Sequence, residues 1–141
     1  MLGLGATVRT HQRAIAADEF FKGLYETALG DDEIITAVSF PVPQRAAYIK
    51  FRNPASLFAI VGVFVSQGAA GVRVAVTGAG QGVFRVAAME QALARSFSPD
   101  AVKDVKVPPA QLNSDLHASA EYRSHLITVL AGRAVAQALG K

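Results

Sequence analysis

The sequence contains no cysteine, and charged residues are scarce. Its 141 residues include 14 Lys+Arg and 11 Asp+Glu, so 18% of the chain is charged, against about 25% in an average soluble domain. Without cysteine there is no disulfide framework, no thiolate zinc site, no cysteine-held iron–sulfur cluster and no cysteine nucleophile. The hydrophobic share of 51% excludes disorder as the general state of the chain.

Long apolar runs and strongly basic regions are also missing. The longest apolar stretch, residues 57–70, is shorter than the roughly 18 residues that a membrane helix needs. Residues 1–6 lack the basic region and apolar core of a signal peptide. A net charge of +3, spread along the chain, is a weak attraction for nucleic-acid phosphates. We therefore expect a cytoplasmic protein with no membrane span and no nucleic-acid partner.

Prolines separate an acidic region from a basic one. Residues 18–33 carry six acids and one lysine, whereas residues 42–56 carry three basic residues and no acid. Pro41 and Pro43 fix their own φ angles and lack an N–H, so we place a domain boundary between residues 42 and 43. About 40 residues are too few for an independent core. Residues 1–42 are expected to be the tail of something larger, or an extension packed on residues 43–141.

Hydropathy periodicity predicts strands first and helices afterwards. The predicted strands cover residues 6–9, 34–40, 47–52, 58–66 and 72–77, with a helical turn or loop at 18–25 and a hairpin turn at 68–71. The predicted helices cover residues 86–97, 98–105 and 119–139, with Ser98 suited to an N-cap. This order favours an α+β fold: an antiparallel sheet of three to four strands with a three-helix layer on one face.

The motifs that usually carry chemistry are incomplete. Residues 78–82 form a glycine-rich link between a predicted strand and helix, but a dinucleotide-binding fingerprint needs glycine or alanine where Val83 stands. A turn that requires positive φ fits this segment better. Ser114, Asp115 and His117 are adjacent in sequence, which is not the geometry of a catalytic triad. No catalytic residue and no metal site is predicted.

One predicted strand carries an aromatic ring and two cations on a single face. Tyr48, Lys50 and Arg52 alternate along it and point the same way. Such a face suits an anionic aromatic ligand. It is equally typical of an edge strand whose charges discourage aggregation, and these residues alone do not decide between the two interpretations.

Several segments together resemble the flavoproteins of molybdenum hydroxylases. The run Asp18-Glu19-Phe20-Phe21-Lys22-Gly23, then Thr27-Ala28-Leu29 and Asp32-Glu33-Ile34-Ile35, resembles the family motifs D-x-F-F-x-G, T-x-L and E-I-[IL]. The family includes the FAD-binding medium subunit of aerobic carbon monoxide dehydrogenase and the matching region of xanthine dehydrogenase. The resemblance continues in order through Phe40-Pro41, the strand with Tyr48, Lys50 and Arg52, Phe58-Ala59-Ile60-Val61, Arg85 with Glu90 and Leu93, residues 119–123 and Arg133-Ala134-Val135.

The resemblance implies that residues 1–42 are the C-terminal remnant of an FAD-binding domain and residues 43–141 the flavoprotein C-terminal α+β domain. It implies Ile35 packing by the flavin, Lys50 near FAD and Tyr48 covering the isoalloxazine ring. Many family members have an acidic residue where this chain has Leu57. The family's glycine-rich segments, which hold most of the FAD, lie upstream of the matching region.

The function implied is that of an oxidoreductase subunit. The chain would complete an FAD site and dock a molybdenum-binding large subunit and an iron–sulfur small subunit for electron transfer to FAD. We expect the isolated chain neither to retain FAD nor to be active, and a bare face to allow a homodimer. The alternative is a stand-alone, non-catalytic interaction module of the same fold that has lost FAD binding.

Overall fold

A computed structural model describes residues 1–140, which contain nine strands and three α-helices. The strands are β1 (Thr7–Thr10), β2 (Ala14–Ala16), β3 (Phe21–Gly23), β4 (Glu26–Thr27), β5 (Ile35–Ser39), β6 (Arg45–Arg52), β7 (Ala59–Gly68), β8 (Gly71–Thr77) and β9 (Phe84–Arg85). The helices are α1 (Ala17–Phe20), α2 (Ala87–Arg95) and α3 (Ala120–Ala138), with 3-10 turns at Leu2–Leu4, Pro99–Ala101 and Pro109–Gln111.

Strands β6, β7, β8 and β9 form an antiparallel sheet in that order, which we call the C-terminal sheet. The hairpin between β7 and β8 closes where Gly68 pairs with Gly71, and Gly71 has a φ of 100°, which favours glycine. β7 is the longest strand and is buried along most of its length. Its apolar residues on both faces are typical of a central strand.

Helices α2 and α3 cover one face of the C-terminal sheet. α3 begins after Ser119, whose hydroxyl accepts the backbone N–H of Tyr122 at 3.2 Å and so caps the helix. It packs against β6 and β7, whereas α2 packs against β8. The core between sheet and helices contains fully buried side chains, among them Val61, Val63, Val65, Val74, Val76, Met89, Leu93, Ile127 and Leu130.

Residues 1–42, which we call the N-terminal segment, contact the opposite face of the same sheet mainly through the turn Leu2–Leu4, Ala6 and Ala17. Its strands form a separate antiparallel sheet in the order β2-β1-β5, and β3 pairs with β4. Leu2, Ala6 and Ala17 form a buried cluster with Ala75 of β8. In addition, the Ser66 hydroxyl of β7 donates to the carbonyl of Gly3 at 2.6 Å. Both faces of β7 and β8 are therefore covered.

The predicted α+β class and the antiparallel sheet with helices on one face are confirmed. Three details differ from the prediction. The middle predicted helix is reduced to the 3-10 turn Pro99–Ala101 and the turns after it, and Ser98 makes no side-chain cap. The short strands β2, β3, β4 and β9 were not predicted, because two or three residues carry too little periodicity. Helix α1 spans four residues and belongs to the N-terminal segment, so the layer on the C-terminal sheet contains two α-helices and not the three predicted.

Candidate functional site

Tyr48 and Lys50 lie on the face of β6 that points away from the helices. The alternation of the strand places Ala47, which is buried, and Ile49 on the opposite face against the core. Tyr48 pairs with Phe64 of β7, and Lys50 pairs with Gly62. The structure therefore brings the predicted aromatic ring and cation together on one accessible face.

The ring of Tyr48 lies directly over Gly62. A Cβ atom built on Gly62 would be 2.3 Å from the Tyr48 hydroxyl oxygen, so only glycine leaves room for the ring in this position. Beside it, residues 1–4, Phe64 and Val83 help to line a cleft of about 220 Å³ that Tyr48 also lines. Burial raises the pKa of the Tyr48 hydroxyl, so this group is neutral near pH 7.

The Lys50 ammonium is held by a neighbouring loop. Its Nζ donates to the carbonyl oxygen of Leu57 at 3.1 Å. Leu57 has a φ of 61°, in the left-handed region that a residue other than glycine seldom adopts. The loop is closed by Asn53, whose side-chain oxygen accepts the backbone N–H groups of Ala55 and Ser56. Within residues 1–140 the ammonium makes no other hydrogen bond, so two of its three hydrogens are available to a ligand.

Ile35 lies in the other sheet. It pairs with Thr10 at one end of β5 and is 41% exposed. The cleft that Tyr48 lines contains no residue of β5. The three residues implied by the resemblance thus form a pair, Tyr48 with Lys50, and a separate apolar position at Ile35.

A cluster of charges fastens the N-terminal segment to the C-terminal sheet. The Asp18 carboxylate accepts hydrogen bonds from Arg73 at 2.9 and 3.1 Å and from Arg85 at 2.9 Å. The Arg85 guanidinium also donates two hydrogen bonds, of 2.7 and 2.8 Å, to the carboxylate of Glu90 in α2. Glu90 in turn accepts the backbone N–H of Val74. Asp18, Arg85 and Glu90 all lie in the family-like motifs, but those motifs do not indicate that the three side chains meet.

Ion pairs and hydrogen bonds lower the pKa of two carboxyl groups, those of Asp18 and Glu33. Burial of Asp18 acts to raise its pKa, but the hydrogen bonds and charges of Arg73 and Arg85 outweigh it and the pKa is lowered. At Glu33, hydrogen bonds from Arg13, then from the Gly30 N–H and Thr10, hold the pKa far below its usual range. Both carboxylates are therefore charged near pH 7.

The glycine-rich segment is a turn that Arg123 helps to fix. Gly78 has a φ of 79°, and a Cβ built on it would be 2.3 Å from the carbonyl oxygen of Ala59. The guanidinium of Arg123, only 3% exposed, donates to the carbonyls of Ile60 and Gly78 and pairs with Asp115 at 2.7 Å. The interpretation of this segment as a turn requiring positive φ is confirmed at Gly78.

Asp115 has a structural use in this arrangement. One carboxylate oxygen accepts the backbone N–H groups of His117 and Ala118, and the other accepts from Arg123. Within residues 1–140 no three His, Asp or Glu side chains are grouped closely enough to hold a metal ion. No helix in the same range is long and apolar enough to cross a membrane.

Comparisons with known proteins agree with the predicted family. No protein-family model matches the chain. It is 35% identical over 137 residues to the nicotine 6-hydroxylase medium subunit of Paenarthrobacter nicotinovorans, an alignment that covers 90% of this chain and 48% of that protein. It is 30% identical over 139 residues to the caffeine dehydrogenase subunit beta of Pseudomonas sp. (strain CBB1), covering 90% of this chain and 47% of that protein.

Solved structures share the fold at lower identity. A Cu,Mo-CO dehydrogenase in its cyanide-inactivated form aligns with a TM-score of 0.80 and 23% identity, over 99% of this chain and 55% of that one. Quinoline 2-oxidoreductase from Pseudomonas putida 86 aligns with a TM-score of 0.80 and 22% identity, over 99% and 54%. The chain spans about half the length of the relatives that it matches. The predicted resemblance is therefore confirmed: the chain is similar to medium subunits of molybdenum hydroxylases, over a stretch equal to about half of such a subunit.

Proposed function

We propose that this chain is the C-terminal part of the flavoprotein subunit of a molybdenum hydroxylase. In that role it completes an FAD site and docks a molybdenum-binding large subunit and an iron–sulfur small subunit, so that electrons pass from iron–sulfur centres to FAD in the cytoplasm. The observation that carries the proposal is the 35% identity to a medium subunit along 90% of the chain. On this proposal residues 1–42 belong to the FAD-binding domain and residues 43–141 form the C-terminal domain.

The Tyr48–Lys50 face has the chemistry that a flavin needs. Tyr48 offers a flat, 44% exposed ring supported from behind by Gly62, and its neutral hydroxyl introduces no competing charge. Bound FAD would supply the two-electron redox chemistry. Lys50 offers a fixed positive charge, which stabilises an anionic reduced flavin by electrostatics. Ile35 adds an exposed apolar surface on the separate sheet.

The loop around Leu57 sets the position of that charge. Because Lys50 already donates to the Leu57 carbonyl, its side chain is ordered before any ligand binds. Less rotamer entropy is then lost when the ammonium meets a ligand, which strengthens the electrostatic contribution. Replacement of the family's common acidic residue by Leu57 also leaves the charge of Lys50 uncompensated by a carboxylate at that position.

Complementation tests the flavin part of the proposal. The full chain is produced alone and together with the remaining part of the nicotine 6-hydroxylase medium subunit, and FAD is measured by absorbance after gel filtration. We expect the chain alone to be colourless and the combined sample to carry FAD. Tight, stoichiometric FAD binding by the chain alone would contradict the assignment as one part of a flavin site.

Two matched variants then locate the site. Lys50→Gln removes the cation beside the Leu57 loop, and Arg45→Gln removes a cation from the same strand, at the end remote from that loop. In the FAD-carrying sample, Lys50→Gln is expected to lower the reduction potential of the flavin, since the anionic reduced form loses a stabilising charge. Equal potentials for Lys50→Gln and Arg45→Gln would refute the role of Lys50.

A stand-alone interaction module of the same fold is the second candidate. Its support is the exposure of large apolar side chains along and beside β5, with Ile34 at 69%, Phe40 at 50% and Val42 at 92%. Such a surface suits contact with another protein. Failure of the complemented sample to carry FAD, together with a stable complex between the two parts, would favour this candidate.

A further inference from the structure

A cleft of about 240 Å³ lies between the N-terminal segment and the glycine-rich turn. Strand β3 forms one side, residues 80–84 form another, and Val107, Gln111 and Leu112 complete it. Neither Tyr48 nor Lys50 lines this cleft, so it is separate from the proposed flavin face. Its walls combine aromatic and aliphatic side chains with polar backbone.

The charge in the cleft is positive. Lys22 of β3 is the one charged residue that lines it, and no carboxylate within residues 1–140 comes within ion-pair distance of its ammonium. Glu26, across the hairpin, lies beside Gly23 but does not line the cleft. A lysine without a partner at the edge of a partly apolar cleft favours an anionic ligand.

The backbone of the turn adds hydrogen-bond donors. Asn113 holds the turn through two hydrogen bonds. Its backbone N–H donates to the carbonyl oxygen of Ala79 at 2.8 Å, and its side-chain amide donates to the carbonyl oxygen of Gly80 at 3.0 Å. All described peptide bonds are trans, so the N–H groups of Gly80 and Gln81 point away from those carbonyls and from Asn113. Asn113 does not line the cleft, whereas Gly80 and Gln81 do.

These N–H groups have no partner within residues 1–140. The backbone donors of Gly80, Gln81 and Gly82 make no hydrogen bond to any protein acceptor in that range. Successive free N–H groups in a turn attract anions, because their partial positive charges converge. Cation, free donors and apolar walls are thus brought to one place by segments that are distant in sequence.

We propose that this cleft binds a small anion with an apolar body. The anionic group, a carboxylate or a phosphate, lies between the Lys22 ammonium and the N–H groups of the turn, and the apolar body lies against Phe21, Phe84 and Val107. The volume is below the ~300 Å³ at which sites for drug-sized molecules begin, which limits the ligand to roughly the size of benzoate. This site needs no FAD, so its test does not depend on whether the proposed function is correct.

Titration of the full chain with benzoate and, separately, with inorganic phosphate tests the proposal. The readout is the amide chemical shifts of residues 80–83 by NMR. We expect saturable shifts there, weakened about tenfold by Lys22→Gln, since a charge-assisted hydrogen bond contributes about 1.4 kcal/mol or more. Lys103→Gln, an equal charge change at an exposed lysine outside the cleft, should alter binding less than about twofold.

A third variant gives a change of opposite sign. Glu26→Gln removes the nearest hairpin carboxylate and should tighten binding of either anion, since a repelling charge is lost. Tighter binding of benzoate than of phosphate supports the apolar body. Binding of phosphate alone overturns that part of the proposal, and the absence of saturable shifts with both anions overturns the site. If Lys22→Gln and Lys103→Gln weaken anion binding equally, the site is also overturned, because the attraction is then non-specific.

Discussion

Asp18 and Arg85, which are 67 residues apart in the sequence, form an ion pair of 2.9 Å. Asp18 shares its carboxylate with Arg73, and Arg85 shares its guanidinium with Glu90. The N-terminal segment is thereby tied to β8, β9 and α2 through one chain of alternating charges. The cluster is partly exposed, so its individual pairs are screened by water, but Asp18 and Arg85 each have two partners of opposite sign.

Asp18→Asn is expected to lower the free energy of unfolding by about 0.5–1 kcal/mol, the range for partly exposed ion pairs. The amide keeps the shape of the side chain but removes the charge that Arg73 and Arg85 face. Urea denaturation at low and high salt measures the effect, and the difference from the parent chain should shrink at high salt. Asp32→Asn, at an exposed residue without a described ion pair, is the control, and an equal loss in both variants would contradict this prediction.

Glu33 makes the stability depend on acid pH. Its pKa in the folded chain is lowered from the ordinary value of 4.5 by Arg13, Gly30 and Thr10, so its stabilisation is complete above the unfolded value. As the pH falls below 4.5 the unfolded chain takes up a proton first, and stability declines until the folded carboxyl is also protonated. Thermal melts between about pH 6 and pH 3 should show this decline, and Glu33→Gln should flatten it.

Glu19→Gln is the matched control for the pH experiment, because Glu19 is exposed and makes no side-chain hydrogen bond within the described part of the chain. Its pH profile should follow that of the parent chain. A Glu33→Gln profile as steep as the parent's would show that other carboxylates account for the acid dependence.

Arg123→Lys is expected to destabilise the chain by about 2–3 kcal/mol, because hydrogen bonds to a charged group are lost in a buried site. Arg123 reaches the Ile60 and Gly78 carbonyls and Asp115 with one planar fork, which a single ammonium does not reproduce. Arg133→Lys, at an exposed position of the same helix, should change the unfolding midpoint little. Equal stability of the two variants would contradict a stabilising role of the Arg123 hydrogen bonds.

Two glycines of the same turn should respond differently to alanine. Gly78→Ala places a Cβ against the Ala59 carbonyl at a φ of 79° and should cost at least about 1–2 kcal/mol. Gly82→Ala meets no atom within 4 Å and should be nearly neutral. Calorimetry measures the melting temperature of both variants. Equal melting temperatures would contradict the prediction and would show that the turn relaxes easily at Gly78.

The long elements could be predicted because each repeats a clear pattern. The alternating valines of β8 and the helical spacing of Met89 and Leu93 in α2 determine both structure and burial locally. The hairpin β3–β4 carries too few residues to show a period, and β5 alternates in sequence although all five of its residues are exposed. Exposure depends on what packs against a strand, which local sequence does not encode.

The candidate site was predictable only in part, for the same reason. Alternation along β6 was enough to place Tyr48 and Lys50 on one face, because strand geometry is local. The support of the Tyr48 ring by Gly62, the bond from Lys50 to Leu57, and the contact of Asp18 with Arg85 depend on how distant segments meet. The cleft at Lys22 is of the same kind, since its walls come from three separate parts of the chain.

The packing of the N-terminal segment on β7 and β8 has a consequence for synthesis on the ribosome. The acceptor carbonyls of Gly3 and Leu2 precede their donors, Ser66 and Arg73, by 63 and 71 residues. At translation rates of about 5–20 residues per second, the turn Leu2–Leu4 waits roughly 3–14 s before its partners in β7 and β8 have been made. During that interval Leu2 and Ala6 lack their contact with Ala75, so the yield of soluble protein should depend on translation speed and on chaperones that shield this segment.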